Sequence, residues 1–117
     1  MKLKSSVNLG GVQPPVWFAM GVFEALCRLY ADRPLVVTSA NDSHDSRPAS
    51  LHNKGLAFDA RTKDMNAEQK SQVLSRAKQI LDPLGFDIVF ENAGGPNEHI
   101  HCEFDVKPGE QLYYRVV

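Results

Sequence analysis

Two stretches near the end of the chain alternate between polar and apolar side chains, and this pattern restricts the fold more than any other. Residues Phe86–Glu91 and His99–Phe104 flank a loop, residues 92–97, that contains Gly94 and Gly95. Successive side chains of a strand point to opposite faces, so each stretch has one apolar and one polar face. The pattern predicts a β-hairpin with its apolar face in the core and a long glycine-containing turn.

Two further stretches have helical patterns. Asn66 and Gln69 have the spacing of a capping box, and apolar residues then recur at helical intervals up to Gly85, which predicts an amphipathic helix. The stretch from Pro14 to Ala31 has few polar positions, so we expect a mostly buried helix with Trp17 in the core.

The remaining segments complete a small α+β domain. Residues Leu35–Ser39 and Gly55–Ala60 read as strands, and the polar residues 41–53 between them read as a long loop. Helix, strand, strand, helix and hairpin predict a mainly antiparallel sheet packed with two main helices. With 117 residues, residues 1–117 are expected to form a single domain.

Composition excludes several partners. The net charge is −1 and the isoelectric point is about 6.4, so the positive field of a nucleic-acid-binding protein is missing. No apolar run approaches the roughly 20 residues of a membrane span. Cys27 and Cys102 lie in apolar patterns without a close-spaced pair and are expected in the core. We expect a monomer.

The first residues predict where the chain is made. Met1–Lys4 is followed by Ser5, Ser6 and Asn8 rather than by the apolar stretch of a secretory signal. We therefore expect synthesis in a cytoplasm, and release by another agent if the target lies outside the cell.

Candidate metal ligands share polar faces. His99, His101 and Glu103 lie on one face of the last predicted strand, and Asp59 lies on the polar face of an earlier strand that follows His52. A catalytic zinc ion takes about three nitrogen or oxygen ligands and leaves a position open, a set that His52, Asp59 and His101 would supply. Alternatives remain: the two histidines could form a solvated face or a hydrogen-bonded pair, and Asp59 could form an ion pair with Arg61.

The segment Ser50–Asp59 has the SxHxxGxAxD pattern, and Glu91 is followed by a loop and His99-Ile100-His101-Cys102. In these features the chain resembles the zinc D-alanyl-D-alanine metallopeptidases, phage-type cell-wall peptidases and their non-proteolytic relatives, the hedgehog signalling domains. Thr38-Ser39 and the polar loop extend the likeness over roughly residues 15–105. The resemblance implies the fold of that group.

The resemblance also implies roles. His52, Asp59 and His101 would bind zinc, His99 would hydrogen-bond substrate or the developing oxyanion, and Ser50 would line the substrate site. Two glutamates compete as general base. Glu91 matches by its place at a strand end, although the loop after it is longer than in hedgehog, and Glu98 matches the ExxH spacing of some dipeptidases.

Two loop residues complete the expectations. Arg47 could bind a substrate carboxylate in a bidentate manner, or be an ordinary exposed arginine. His44 could close over the site, or lie on the surface. The resemblance implies hydrolysis of D-amino-acid-containing peptidoglycan stem peptides, as a carboxypeptidase or an endopeptidase. The alternative is a non-catalytic zinc-binding recognition domain or a structural component of a phage particle.

Overall fold

The computed structural model describes residues 1–41 and 50–105. Seven regular elements follow one another along these residues, and their order is strand, helix, strand, strand, helix and then two strands. They are β1 (Lys2–Leu3), α1 (Pro14–Ala31), β2 (Val36–Ser39), β3 (Ala57–Arg61), α2 (Ala67–Leu81), β4 (Phe86–Glu91) and β5 (His99–Phe104). Short 3-10 turns precede β3 and β4, at His52–Lys54 and Asp82–Leu84.

The strands form one five-stranded sheet in the order β1-β2-β3-β5-β4. All neighbours are antiparallel except β1 and β2, which are parallel, so the sheet is mixed but mainly antiparallel, as expected. The predicted hairpin is confirmed with the bounds given by the alternation. Strand β1 was not predicted, because its two residues show no strand pattern.

Both predicted helices are present and cover one face of the sheet. In α2 the Asn66 side chain accepts from the Gln69 backbone and the Gln69 side chain accepts from the Asn66 backbone, so the capping box is formed. The core combines buried residues of both helices with those of the strands, among them Phe23, Val73, Phe58, Ile100 and Cys102. Both cysteines are buried and free, as expected.

Helix α1 is less buried than its composition suggests. Its core side includes Val16 and Phe23, whereas Trp17, Phe18 and Leu29 are exposed. The expectation that Trp17 lies in the core is wrong, because only one side of α1 packs against the sheet and α2. Within the described residues, none of the helices combines the length and hydrophobicity needed to cross a membrane.

Candidate metal site

The sheet register brings two of the three predicted ligands, Asp59 and His101, together. In the antiparallel pairing of β3 with β5, Asp59 lies opposite His101. Residues in such a pair point to the same face, here the face away from the helices, because the intervening Phe58, Ala60, Ile100 and Cys102 are in the core. The Asp59 Oδ1 and His101 Nδ1 atoms are 2.9 Å apart.

His52 reaches this pair from the 3-10 turn before β3. Gly55 ends the turn with φ 71°, and a β-carbon there would lie 1.9 Å from the Gly11 carbonyl oxygen, so only glycine fits. The Gln13 amide donates to the Gly55 carbonyl at 2.8 Å, which fastens the turn to the N-terminal loop. The Ser50 hydroxyl accepts from the His52 amide at 3.3 Å, so Ser50 supports the backbone of this turn.

Hydrogen bonding fixes which nitrogen of His52 faces Asp59. The Nδ1–H group donates to the Ala40 carbonyl at 2.8 Å, because a carbonyl can only accept. The other nitrogen, Nε2, then carries the lone pair in the neutral ring and lies 3.3 Å from Asp59 Oδ1. Metal-binding histidines commonly donate their second ring nitrogen in this way, which orients the ring.

In His101 the nitrogen that faces Asp59 is Nδ1, whereas in His52 it is Nε2. His101 directs Nδ1 at Asp59 and Nε2 at Glu103 Oε1, 2.7 Å away. One donor atom each from His52, Asp59 and His101 thus lies within 4.8 Å of the other two. Four donors placed tetrahedrally at zinc bond lengths lie roughly 3.3 Å apart, close to the 2.9 and 3.3 Å separations here. The group could hold a metal ion.

The pKa values of these side chains reflect the same contacts. Burial alone would raise the pKa of Asp59, but the His101 and His52 hydrogen bonds hold it well below its usual range. Burial alone would lower the pKa of His101, yet Asp59 and Glu103 raise it to about 9. For His52, too, Asp59 outweighs burial and raises the pKa. Negative charge therefore dominates here, and either protons on the imidazoles or a cation can neutralise it.

Glu91 and His99 form the next pair on the same face, since they lie opposite each other in the β4–β5 register. The His99 Nδ1–H group donates to the Asn97 carbonyl at 2.8 Å, so Nε2 faces the site. This Nε2 lies 3.6 Å from Glu91 Oε1 and 3.9 Å from Asp59 Oδ2. The Glu91 side chain is 44% exposed, which leaves it accessible to a ligand.

The second candidate base, Glu98, is engaged elsewhere. Its carboxylate accepts from the Thr62 hydroxyl at 2.6 Å and from the Gly94 amide at 2.8 Å, and it pairs with Lys70 of α2 at 2.7 Å. The Lys70 hydrogen bond, followed by those from Thr62 and Gly94, lowers the pKa of Glu98 to about 2. The structure thus directs this carboxylate to the helix side of the sheet, away from the predicted ligands.

Other expectations fare differently. His44 and Arg47 lie outside the described residues. Among the described residues, the ion-pair partners of Asp59 are histidines, so the expected alternative of a pair with Arg61 is not formed. Glu103 was predicted on the face of His101 without a role, although the i, i+2 spacing made the contact between the two side chains foreseeable. No sequence pattern indicated that the Ala40 carbonyl would accept a hydrogen bond from His52.

Comparisons with protein-family models, with curated proteins and with solved structures gave no match.

Proposed function

We propose that this chain is a zinc-dependent peptidase that hydrolyses D-amino-acid-containing stem peptides of peptidoglycan, with His52, Asp59 and His101 as the zinc ligands. The observation that carries the proposal is that one donor atom each from His52, Asp59 and His101 lies within 4.8 Å of the other two, on the sheet face away from the helices. Two of these separations, from Asp59 Oδ1 to His52 Nε2 and to His101 Nδ1, are 3.3 and 2.9 Å. Two imidazoles and a carboxylate are a donor set that suits zinc. The SxHxxGxAxD resemblance supports a fold shared with the D-alanyl-D-alanine metallopeptidases.

The proposed chemistry divides between the metal and three side chains. Bound zinc would supply a Lewis acid that polarises a peptide carbonyl and increases the acidity of water. Glu91 accepts the proton of the attacking water, because its exposed carboxylate lies beside His99 on the ligand face. His99 offers Nε2 to the developing oxyanion, which requires the imidazolium form because Nδ1 already donates to Asn97. Glu98 instead holds Lys70 and the hairpin turn.

The substrate class rests on the resemblance and on the place of the ligands. They lie on the sheet face away from the helices, where their side chains are 8–18% exposed and that of Glu91 is 44% exposed. A short peptide would reach the site from the side of Glu91. Attack requires a carbonyl held about 3 Å from the nucleophile, so stereochemistry beside the bond should control the rate through positioning.

Digestion of purified muropeptides by zinc-loaded protein tests the proposal. Mass spectrometry of the products should show new amino and carboxyl ends at one bond, and an all-L peptide of equal length should stay intact. A His101→Ala protein handled in parallel controls for contaminating peptidases. If zinc-loaded protein leaves all muropeptides intact, the non-catalytic recognition domain becomes the better interpretation.

A further inference from the structure

Glu103 contacts a proposed metal ligand from outside the ligand group. It lies two residues after His101 on the same strand face, and its Oε1 atom is 2.7 Å from His101 Nε2. The two side chains are 16% and 24% exposed, so the bond is partly shielded from water. Among the described residues, the hydrogen-bonding partners of the His101 ring are therefore two carboxylates, Asp59 on Nδ1 and Glu103 on Nε2.

These two contacts determine how the ring can bind a metal. A neutral imidazole has one N–H donor and one lone pair. When a metal ion takes the Nδ1 lone pair, on the side that faces Asp59, the proton of the neutral ring must lie on Nε2, where the Glu103 carboxylate accepts it. His52 shows the opposite arrangement, with its proton on Nδ1 held by the Ala40 carbonyl. Each ring is thus oriented by its own partner, but only the partner of His101 is a charged side chain that a substitution can remove.

We propose that Glu103 is a positioning residue for the metal site, which fixes the Nε2–H tautomer of His101 and strengthens Nδ1 as a donor. The inference rests on the proposed function only in taking zinc as the metal. Removing such an outer partner typically weakens metal binding about 10- to 100-fold. Asp87 provides a matched control, because it lies directly opposite Glu103 on β4 and forms with Glu103 and Asp105 a second acidic group that could hold a metal ion. Zinc binding to that group would be weakened by Asp87→Asn as well as by Glu103→Ala, whereas a positioning role would be lost only in Glu103→Ala.

The experiment measures zinc affinity by competition with a chromophoric chelator for the parent chain and for Glu103→Ala, Glu103→Gln and Asp87→Asn. We expect Glu103→Ala to bind zinc about 10- to 100-fold more weakly. Glu103→Gln should recover part of the loss, since its amide oxygen still accepts from Nε2–H. Asp87→Asn should bind like the parent. Imidazole ¹⁵N chemical shifts of the zinc-loaded proteins should show His101 bound through Nδ1 with Nε2 protonated in the parent, and a changed Nε2 shift in Glu103→Ala, where this N–H group has lost its carboxylate acceptor.

Several outcomes would overturn the inference. If Glu103→Ala binds zinc with parental affinity, the inference is wrong. It is also wrong if Asp87→Asn loses as much zinc affinity as Glu103→Ala, because the effect would then come from general charge or from zinc bound to the second acidic group rather than from positioning. If Glu103→Ala does not fold, as judged by circular dichroism, Glu103→Gln and its ¹⁵N shifts decide the question. A parent chain that binds zinc but cleaves no muropeptide refutes the proposed activity and leaves this inference standing. A parent chain that binds no zinc refutes both.

Discussion

The two faces of the sheet surround a carboxylate with different kinds of partner. On the helix side, Glu98 accepts from Thr62, Lys70 and Gly94, and its charge is matched by the ammonium group of Lys70. On the open side, Asp59 is surrounded by His52, His99 and His101, whose charge depends on protonation. Both carboxyl groups have lowered pKa values, but among residues 1–41 and 50–105 the ion-pair partner of Glu98 is a lysine, whereas those of Asp59 are histidines.

This difference separates a structural carboxylate from one that belongs to a group that could hold a metal ion. Glu98 has no need of an external cation, since three donors and a positive charge already satisfy it. The imidazoles beside Asp59 can either carry protons that neutralise it or, when they have lost those protons, bind a cation through their lone pairs. Changes on the helix side should therefore alter stability, whereas changes on the open side should alter metal binding and activity.

The largest expected effect separates the two glutamates by rate. Glu91→Gln keeps the size of the side chain but cannot accept a proton, so muropeptide hydrolysis should fall about 100- to 10,000-fold while zinc stays bound. Glu98→Gln should retain most of the parental rate, because that carboxylate contacts Lys70 rather than the open face. Initial rates and zinc content of both proteins provide the test. A slow Glu98→Gln enzyme beside a fast Glu91→Gln enzyme would reverse the comparison.

Zinc itself should stabilise only chains with an intact open face. A ligand at 100 times its dissociation constant stabilises the native state by about 2.7 kcal/mol, so zinc should raise the melting temperature of the parent and a chelator should lower it again. Asp59→Asn should show almost no zinc-dependent shift, whereas Glu98→Gln should shift as the parent does. Differential scanning calorimetry measures this. Equal shifts in all three proteins would show that zinc binds elsewhere.

The elements predicted from sequence are those with local signals. The hairpin strands follow from alternation, and α2 follows from its capping box and helical periodicity. Strand β1 was not predicted because it has no pattern of its own. It is held by hydrogen bonds that the Lys2 and Lys4 amides donate to the carbonyls of Leu35 and Val37. Strand β3 begins at Ala57 rather than at Gly55, because Gly55 has a positive φ and ends the preceding turn.

The part of the candidate site that lies on strands was predictable, because side chains alternate between the two faces of a strand. His101 and Asp59 could be placed on one polar face from alternation alone, and the register then brings them together. The same alternation places Glu98 on the face of Ile100 rather than on that of His99, so it predicts that Glu98 lies away from the ligands. The ExxH spacing indicated the opposite. The turn that delivers His52 depends on the contact of Gly55 with the loop around Gly11, a long-range contact that no local pattern signals.

The smallest expected effect tests the helix side by stability. Glu98→Gln removes the charge that pairs with Lys70 and should cost about 1–3 kcal/mol, measured by urea unfolding at pH 7. The folded pKa of Glu98, about 2, lies below its ordinary value of 4.5, so its contribution is complete above pH 4.5 and is lost as the pH falls towards 2. The difference in unfolding free energy between parent and Glu98→Gln should therefore shrink across that interval. A difference that stays constant from pH 7 to pH 2.5 would show that the charge of Glu98 does not stabilise the fold, and the contrast between the two faces would lose its electrostatic basis.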